Sequence, residues 1–198
     1  MDTIRKLDEA KYFLDLLSYY QKDETKFSYN LNAFLSSWRS VLDIMLYDFA
    51  EHYSLGFTRE VEMNDKEFYA VAQVLKRTEA VKFIKWWRQK QGILRNEPLW
   101  RKRDISFHRG SLGIIYHYYG YGTGSSSGTI SYMTALSPHV SSNMGGAVSP
   151  HTVSTSVGIP FWSFLDFQNE NLIDKCKEGY AKLEEIVHEA ETIFSVSL

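Results

Sequence analysis

At 198 residues, with 44% apolar and 23% charged residues, the chain has the composition of a folded protein with one hydrophobic core, not of a disordered one. A formal net charge of -2 excludes a whole-molecule basic field for attracting nucleic acid, so any such attraction must be local. The lone cysteine, Cys176, excludes an intramolecular disulfide framework and suits a reducing compartment.

The first residues, Met1 to Glu9, lack the apolar run of a signal peptide, and nowhere is there an uncharged apolar stretch of the roughly 18 residues that a membrane helix needs. The expectation is a single cytoplasmic domain over residues 1–198 with no membrane contact. Aromatic residues are abundant at 15%, and their polar tips suit interfaces as well as cores.

In chain order, Asp2 or Thr3 can cap a first helix, whose face of Ile4, Leu7, Ala10, Leu14 and Leu17 runs to about Gln21. A second helix is predicted from about Tyr29 to Tyr53. There Leu31, Phe34, Leu35, Trp38, Leu42, Met45, Leu46 and Phe49 recur at three- and four-residue steps, and Gly56 closes the region. Asn64 followed by Glu67 has the spacing of a capping box and opens a third helix to about Lys90, with a bend near Thr78. Pro98 can occupy the first turn of a shorter helix ending at Gly110. The last helix is expected from about Asn169 to Phe194, along Leu172, Cys176, Tyr180, Leu183, Val187 and Ala190.

Between Gly110 and Leu165 there is no Asp, Glu, Lys or Arg, yet nine of the twelve glycines fall there. Alternation in Ile114 to Tyr119 and in Thr129 to Met133 predicts two strands of a hairpin joined through Gly120 to Gly128, and Ser137 to Gly158 reads either as adding a third short strand near Val153 to Val157 or as a partly mobile stretch. The predicted fold is mainly α, an antiparallel bundle of four to five helices with an uncharged β-rich insertion at about 110–165.

Six histidines without ligand spacing and one cysteine give no metal site, and no cofactor is expected. Gly120 to Gly124 follows a strand but opens no helix and lacks a lysine, so it reads as a loop, not a phosphate cradle. Serine triads find no G-x-S-x-G. Trp86 and Trp87 read as one core and one interface residue, and Arg39 as a partner for Asp43 one turn on that could also reach the cleft of a candidate site.

Chemistry concentrates at Arg101 to Arg109, where Arg101, Lys102, Arg103 and Arg109 surround Asp104 and His108. On a helix Asp104 and His108 stand one turn apart, and Arg103 is about 140° around from His108. A neighbouring carboxylate and a place at the helix C-terminus both favour the imidazolium, which suits proton transfer or phosphate binding. Arg103 can bring a guanidinium to a phosphorane-like transition state. Arg101, Lys102 and Arg109 would supply phosphate contacts.

The R-D-x-x-x-H pattern of Arg103, Asp104 and His108 resembles the signature of the HEPN superfamily of small helical proteins. Asn32 to Val41 and the Phe83-Ile84-Lys85-Trp86-Trp87 stretch resemble elements of one bacterial branch of it, and Asp104 stands where Asn is commoner. The resemblance covers about Leu31 to His108 and, more loosely, the last helix. It implies a helix bundle in which Arg103, Asp104 and His108 act as the site of a metal-independent ribonuclease, two protomers bringing two motifs to one cleft. RNA as substrate and a homodimer built on the second helix and the motif helix follow as expectations. The alternative is a non-catalytic module that binds a protein partner, a nucleotide or RNA through the uncharged insertion, since Tyr, Ser and Gly also dominate adaptable recognition surfaces.

Overall fold

A computed structural model of the chain describes residues 2–57, 63–109, 113–117, 133–134, 161–167 and 170–196, with the backbone alone described at 104–109 and 133–134. The chain is mainly helical: α1 (Asp2–Tyr19), α2 (Glu24–His52), α3 (Asp65–Val74), α4 (Thr78–Arg95), α5 (Pro98–Arg109) and α6 (Leu172–Phe194), with short strands β1 (Ile114–His117), β2 (Met133–Thr134) and β3 (Phe161–Phe164) between the last two helices. No helix among the described residues is long and apolar enough to cross a membrane.

Helix starts follow side-chain chemistry. Asp23 caps α2 by accepting the Lys26 N–H at 3.0 Å, which starts the helix five residues before the predicted Tyr29. The residues after that cap, Glu24 to Lys26, are polar, so an apolar stripe understates the helix. Asn64 and Glu67 form the predicted capping box on α3, and Asn171 caps α6 through the Ile173 N–H at 3.0 Å. Helix ends differ from prediction. The single third helix is two, because Lys76 adopts a left-handed φ of 54° and the Arg77 N–H turns back to the Ala72 carbonyl. After that break α4 runs through Gly92 to Arg95. The end of α2 is likewise made by Ser54, at φ 52°, with the Leu55 N–H on the Ala50 carbonyl. Gly56 comes two residues later.

One buried cluster joins all six helices to the sheet. Along α1, Leu7, Ala10, Leu14 and Leu17 face α2, whose stripe of Phe27, Leu31, Phe34, Leu35, Trp38, Leu42, Met45 and Phe49 is almost free of solvent. Phe49 stacks on Phe83 of α4 with centroids 3.8 Å apart, and the Phe194 ring of α6 packs edge-on against both. Cys176 is buried among these side chains, and burial pushes its thiol pKa up, so it is a core residue and not a nucleophile.

A polar tie crosses the core as well. Asp48, fully buried in α2, accepts from the Thr3 backbone N–H at 2.8 Å and from the Thr3 hydroxyl at 2.7 Å, so it caps the start of α1 from another helix. Asp48→Ala is expected to cost about 3 kcal/mol, because it orphans two buried donors, whereas Asp48→Asn keeps an acceptor and costs about 1 kcal/mol. Urea unfolding with an unchanged m-value would register the difference. Equal midpoints for the two variants would show that the tie is dispensable.

The sheet has the order β2-β1-β3 and is antiparallel throughout. The predicted pairing of the Ile114 and Met133 segments is present, with Ile115 opposite Thr134 and Tyr116 opposite Met133. Their connection lies outside the described residues. So does Val153 to Val157, where a third strand was expected. The strand that pairs with the other side of β1 is Phe161–Phe164, with Tyr116 opposite Trp162. Trp162 holds this strand to the bundle, stacking on Phe27 at 4.8 Å and donating its indole N–H to the Gln21 carbonyl at 2.8 Å.

Candidate functional site

Two buried side chains fix the position of α5. Leu99 lies against Gly179 of α6, where a methyl group in place of the glycine hydrogen would meet the end of the leucine side chain and force it to shift. Trp100 meets Trp38 of α2 edge-on at 6.1 Å, and the Trp38 indole N–H donates to the Gly179 carbonyl at 2.8 Å. A tryptophan of α2 therefore bridges α5 and α6.

The next turn of α5 carries the basic residues, and the structure separates them. Arg101 is exposed. Lys102 is only 6% exposed, contrary to its expected role as a phosphate contact. Its ammonium pairs with the Asp166 carboxylate and lies 4.7 Å from the Phe164 ring and 5.6 Å from the Phe167 ring. Burial alone would raise the pKa of Asp166, but the Lys102 ammonium beside it holds that carboxyl below the usual range. Lys102 thus ties α5 to the turn after β3, with its charge compensated inside the protein. Sequence reading missed this because Asp166 is 64 residues away.

Arg103 is half-buried, and its charge favours the ionised form of Asp43 on α2. Asp43 feels Arg39, Arg103 and Arg95 in that order, yet burial outweighs them and its carboxyl pKa is raised. One side of Asp43 is open to water. The rest of it lies in a recess of about 350 Å³ shared with Leu46, Tyr47, Met63, Asn64 and Glu67, where protein displaces much of its hydration. The Arg39 guanidinium sits 4.7 Å from the Trp100 ring and that of Arg95 sits 5.9 Å from it. The charge of Arg39 thus favours the ionised form of Asp43, together with charges from α4 and α5. Arg95 was not singled out in the sequence, and only the packing of the C-terminus of α4 against α5 brings it here.

Helix α5 continues without a break through Asp104 and His108, so their backbones are one helical turn apart. The side chains of Asp104, His108 and Arg109 lie outside the described set.

Other singled-out residues are accounted for by packing. Trp87 is 2% exposed and donates to the Leu42 carbonyl at 3.0 Å. Trp86 is half-buried, donating to Glu189 at 2.8 Å, so its outer edge faces α6 of the same chain. His117 contacts the Ser163 hydroxyl at 2.8 Å and burial lowers its pKa, but Ser163 is fully buried and beyond the reach of a substrate. Comparison with protein-family models, with curated proteins and with solved structures finds no match to this chain.

Proposed function

We propose that this chain is a HEPN-like, metal-independent endoribonuclease that works as a cytoplasmic homodimer, with Arg103, Asp104 and His108 as its site. The reading is supported chiefly by one observation. An unbroken helix pinned at Leu99, Trp100 and Lys102 carries the whole R-D-x-x-x-H segment, and the charge of Arg103 at its start acts, with those of Arg39 and Arg95, on the Asp43 carboxylate.

In the proposed reaction one His108 takes the proton of a ribose 2′-hydroxyl, whose oxygen attacks the adjacent phosphorus. The partner's His108 protonates the departing 5′-oxygen. The P–O5′ bond breaks as the P–O2′ bond forms, leaving a 2′,3′-cyclic phosphate and a 5′-hydroxyl. The two Arg103 side chains neutralise charge on the non-bridging oxygens, and Asp104 orients the imidazole one turn away. Because one chain supplies one such histidine and the reaction needs both an acid and a base, the site is completed by a second chain through an isologous contact between motif helices.

The test is incubation of mixed RNA with the purified protein in excess chelator, together with sedimentation at low and moderate salt. The expected result is a dimer that generates 2′,3′-cyclic phosphate ends. Chelator-resistant cleavage no greater than that of a mock preparation, or a monomer under all conditions, would overturn the proposal.

A further inference from the structure

Positive charge in this chain is concentrated on one helix. From Lys76 to Arg95, which takes in the turn before α4 and α4 itself, stand seven lysines and arginines and one carboxylate, a net charge of +6. The remaining 178 residues therefore carry a net charge of -8. Apolar packing decides which way the positive charge faces. Ala80, Phe83, Ile84, Trp87 and Leu94 are buried, and at 100° per residue the opposite side of α4 is the row Lys82, Lys85, Gln89 and Gly92, all exposed. No carboxylate lies on that row. Glu79, to one side of it, pairs with Lys82 at 2.7 Å, but both side chains are about 60% exposed, so water and salt compete for the pair. Arg88, to the other side, is fixed to Asp65 of α3, and Lys90 turns away to Glu189 of α6. Lys76, Arg77 and Lys85 are exposed, and among the described residues no carboxylate pairs with them.

We infer that Lys76, Arg77, Lys82 and Lys85 form a phosphate-binding surface on the outer side of α4 that takes the backbone of single-stranded RNA and leads it along this helix to the motif helix α5. The inference rests on the ribonuclease reading for its ligand, and adds to that reading a docking surface outside the R-D-x-x-x-H segment. Charge complementarity calls for a polyanion, and two features select RNA among polyanions. A basic helix that holds an anionic membrane does so with a free apolar face to insert, whereas the apolar face of α4 is part of the core. Lysine is depleted from protein interfaces, yet three of these four cations are lysines. The row also has no aromatic ring, since Trp87 is buried and Trp86 is turned to Glu189, so the surface responds to phosphates and not to base identity. Only Asn96 and Glu97 separate α4 from α5, so a strand lying along α4 arrives at the helix that carries the motif.

The experiment measures fluorescence anisotropy of a labelled 2′-O-methyl oligouridylate, which cannot be cleaved, between about 50 and about 200 mM salt. Each phosphate contact on a single strand contributes about -0.7 to the slope of log K against log salt. The triple variant Lys76→Gln/Arg77→Gln/Lys85→Gln is thus expected to flatten the slope by about 2 and to weaken binding about 100-fold near 0.1 M salt. Its thermal midpoint should stay at the wild-type value, because all three side chains are exposed. Lys85→Gln alone flattens the slope by about 0.7, and Lys85→Arg restores it, because the charge is kept. Glu79→Gln, which releases Lys82 from its pair, steepens the slope. The control Lys11→Gln/Lys22→Gln/Lys177→Gln removes the same number of charges from exposed positions on other elements and leaves the slope unchanged.

A wild-type slope in the triple variant, an equal flattening in the control, or no binding by the wild-type protein at the lowest salt would each overturn the inference. In the last case, capture of the wild-type protein by phosphatidylserine vesicles would assign the surface to a membrane instead. The two proposals fail separately. A flattened slope without any chelator-resistant cleavage retains the surface and removes the ribonuclease, whereas His108-dependent cleavage with an unchanged slope does the reverse.

Discussion

Replacing His108 with alanine is expected to lower chelator-resistant RNA cleavage by about 10²- to 10⁴-fold, the usual range for losing a positioned proton-transfer group. The loss should appear in kcat and in kcat/KM alike, since the imidazole moves protons in the transition state and is not needed to dock the strand. Folding should be unaffected, because α5 is held in place by Leu99 and Trp100, two turns earlier. The decisive form of the experiment is a mixture. If acid and base come from two chains, an excess of His108→Ala chains captures wild-type chains in heterodimers that have only one of the two histidines. Activity per wild-type chain should then fall as the mutant is added, after time for subunit exchange. Activity that stays constant per wild-type chain, in a mixture shown by sedimentation to have exchanged, would mean that each chain is complete in itself, and the shared-site mechanism would be abandoned.

Trp38→Ala is expected to destabilise the protein by about 3 to 5 kcal/mol, the range for deleting a buried aromatic side chain. Trp38 is 1% exposed, its indole donates to the Gly179 carbonyl, and its ring meets Trp100. The substitution opens a cavity at the point where α2, α5 and α6 meet, so it loosens the seat of the motif helix as well as the core. Trp38→Phe should recover most of the stability and lose chiefly the hydrogen bond, about 1 kcal/mol. Urea unfolding followed by the remaining tryptophans reads both variants. A cost below about 1 kcal/mol for the alanine variant would mean that Trp38 does not hold α5 in place.

What the sequence carried about the bundle was its apolar stripes and its side-chain caps. The stripe from Leu31 to Phe49, the Asn64–Glu67 box and Pro98 at the start of α5 all point to elements that exist, because each acts through neighbours within a turn or two. The ends of helices were less legible. Glycine was the expected stop signal, yet Ser54, Lys76 and Ser195 take the left-handed conformation at the ends of α2, α3 and α6, with φ of 52°, 54° and 51°. That state costs an L-residue roughly 1 to 2 kcal/mol and is adopted where surrounding packing outweighs the cost, which no local pattern records.

The motif segment divides in the same way. Its residue types and helical spacing could be read from Arg101 to Arg109, and α5 has the backbone that the spacing requires. Which of its charges remain available to a ligand was decided by partners far away in the chain. Asp166 takes Lys102 into the protein interior, Arg39 and Arg95 lie over the Trp100 ring, and both act with Arg103 on the charge of Asp43. The sequence alone determined where the helical stretches lie, their buried faces and the place of the basic segment on one of them, though not the break at Lys76, because these follow from periodicity and local capping. Only the tertiary structure decided that one lysine of that segment is an anchor and that two arginines from other helices join the third, because electrostatic compensation depends on distance in space and on burial, neither of which is a function of separation along the chain.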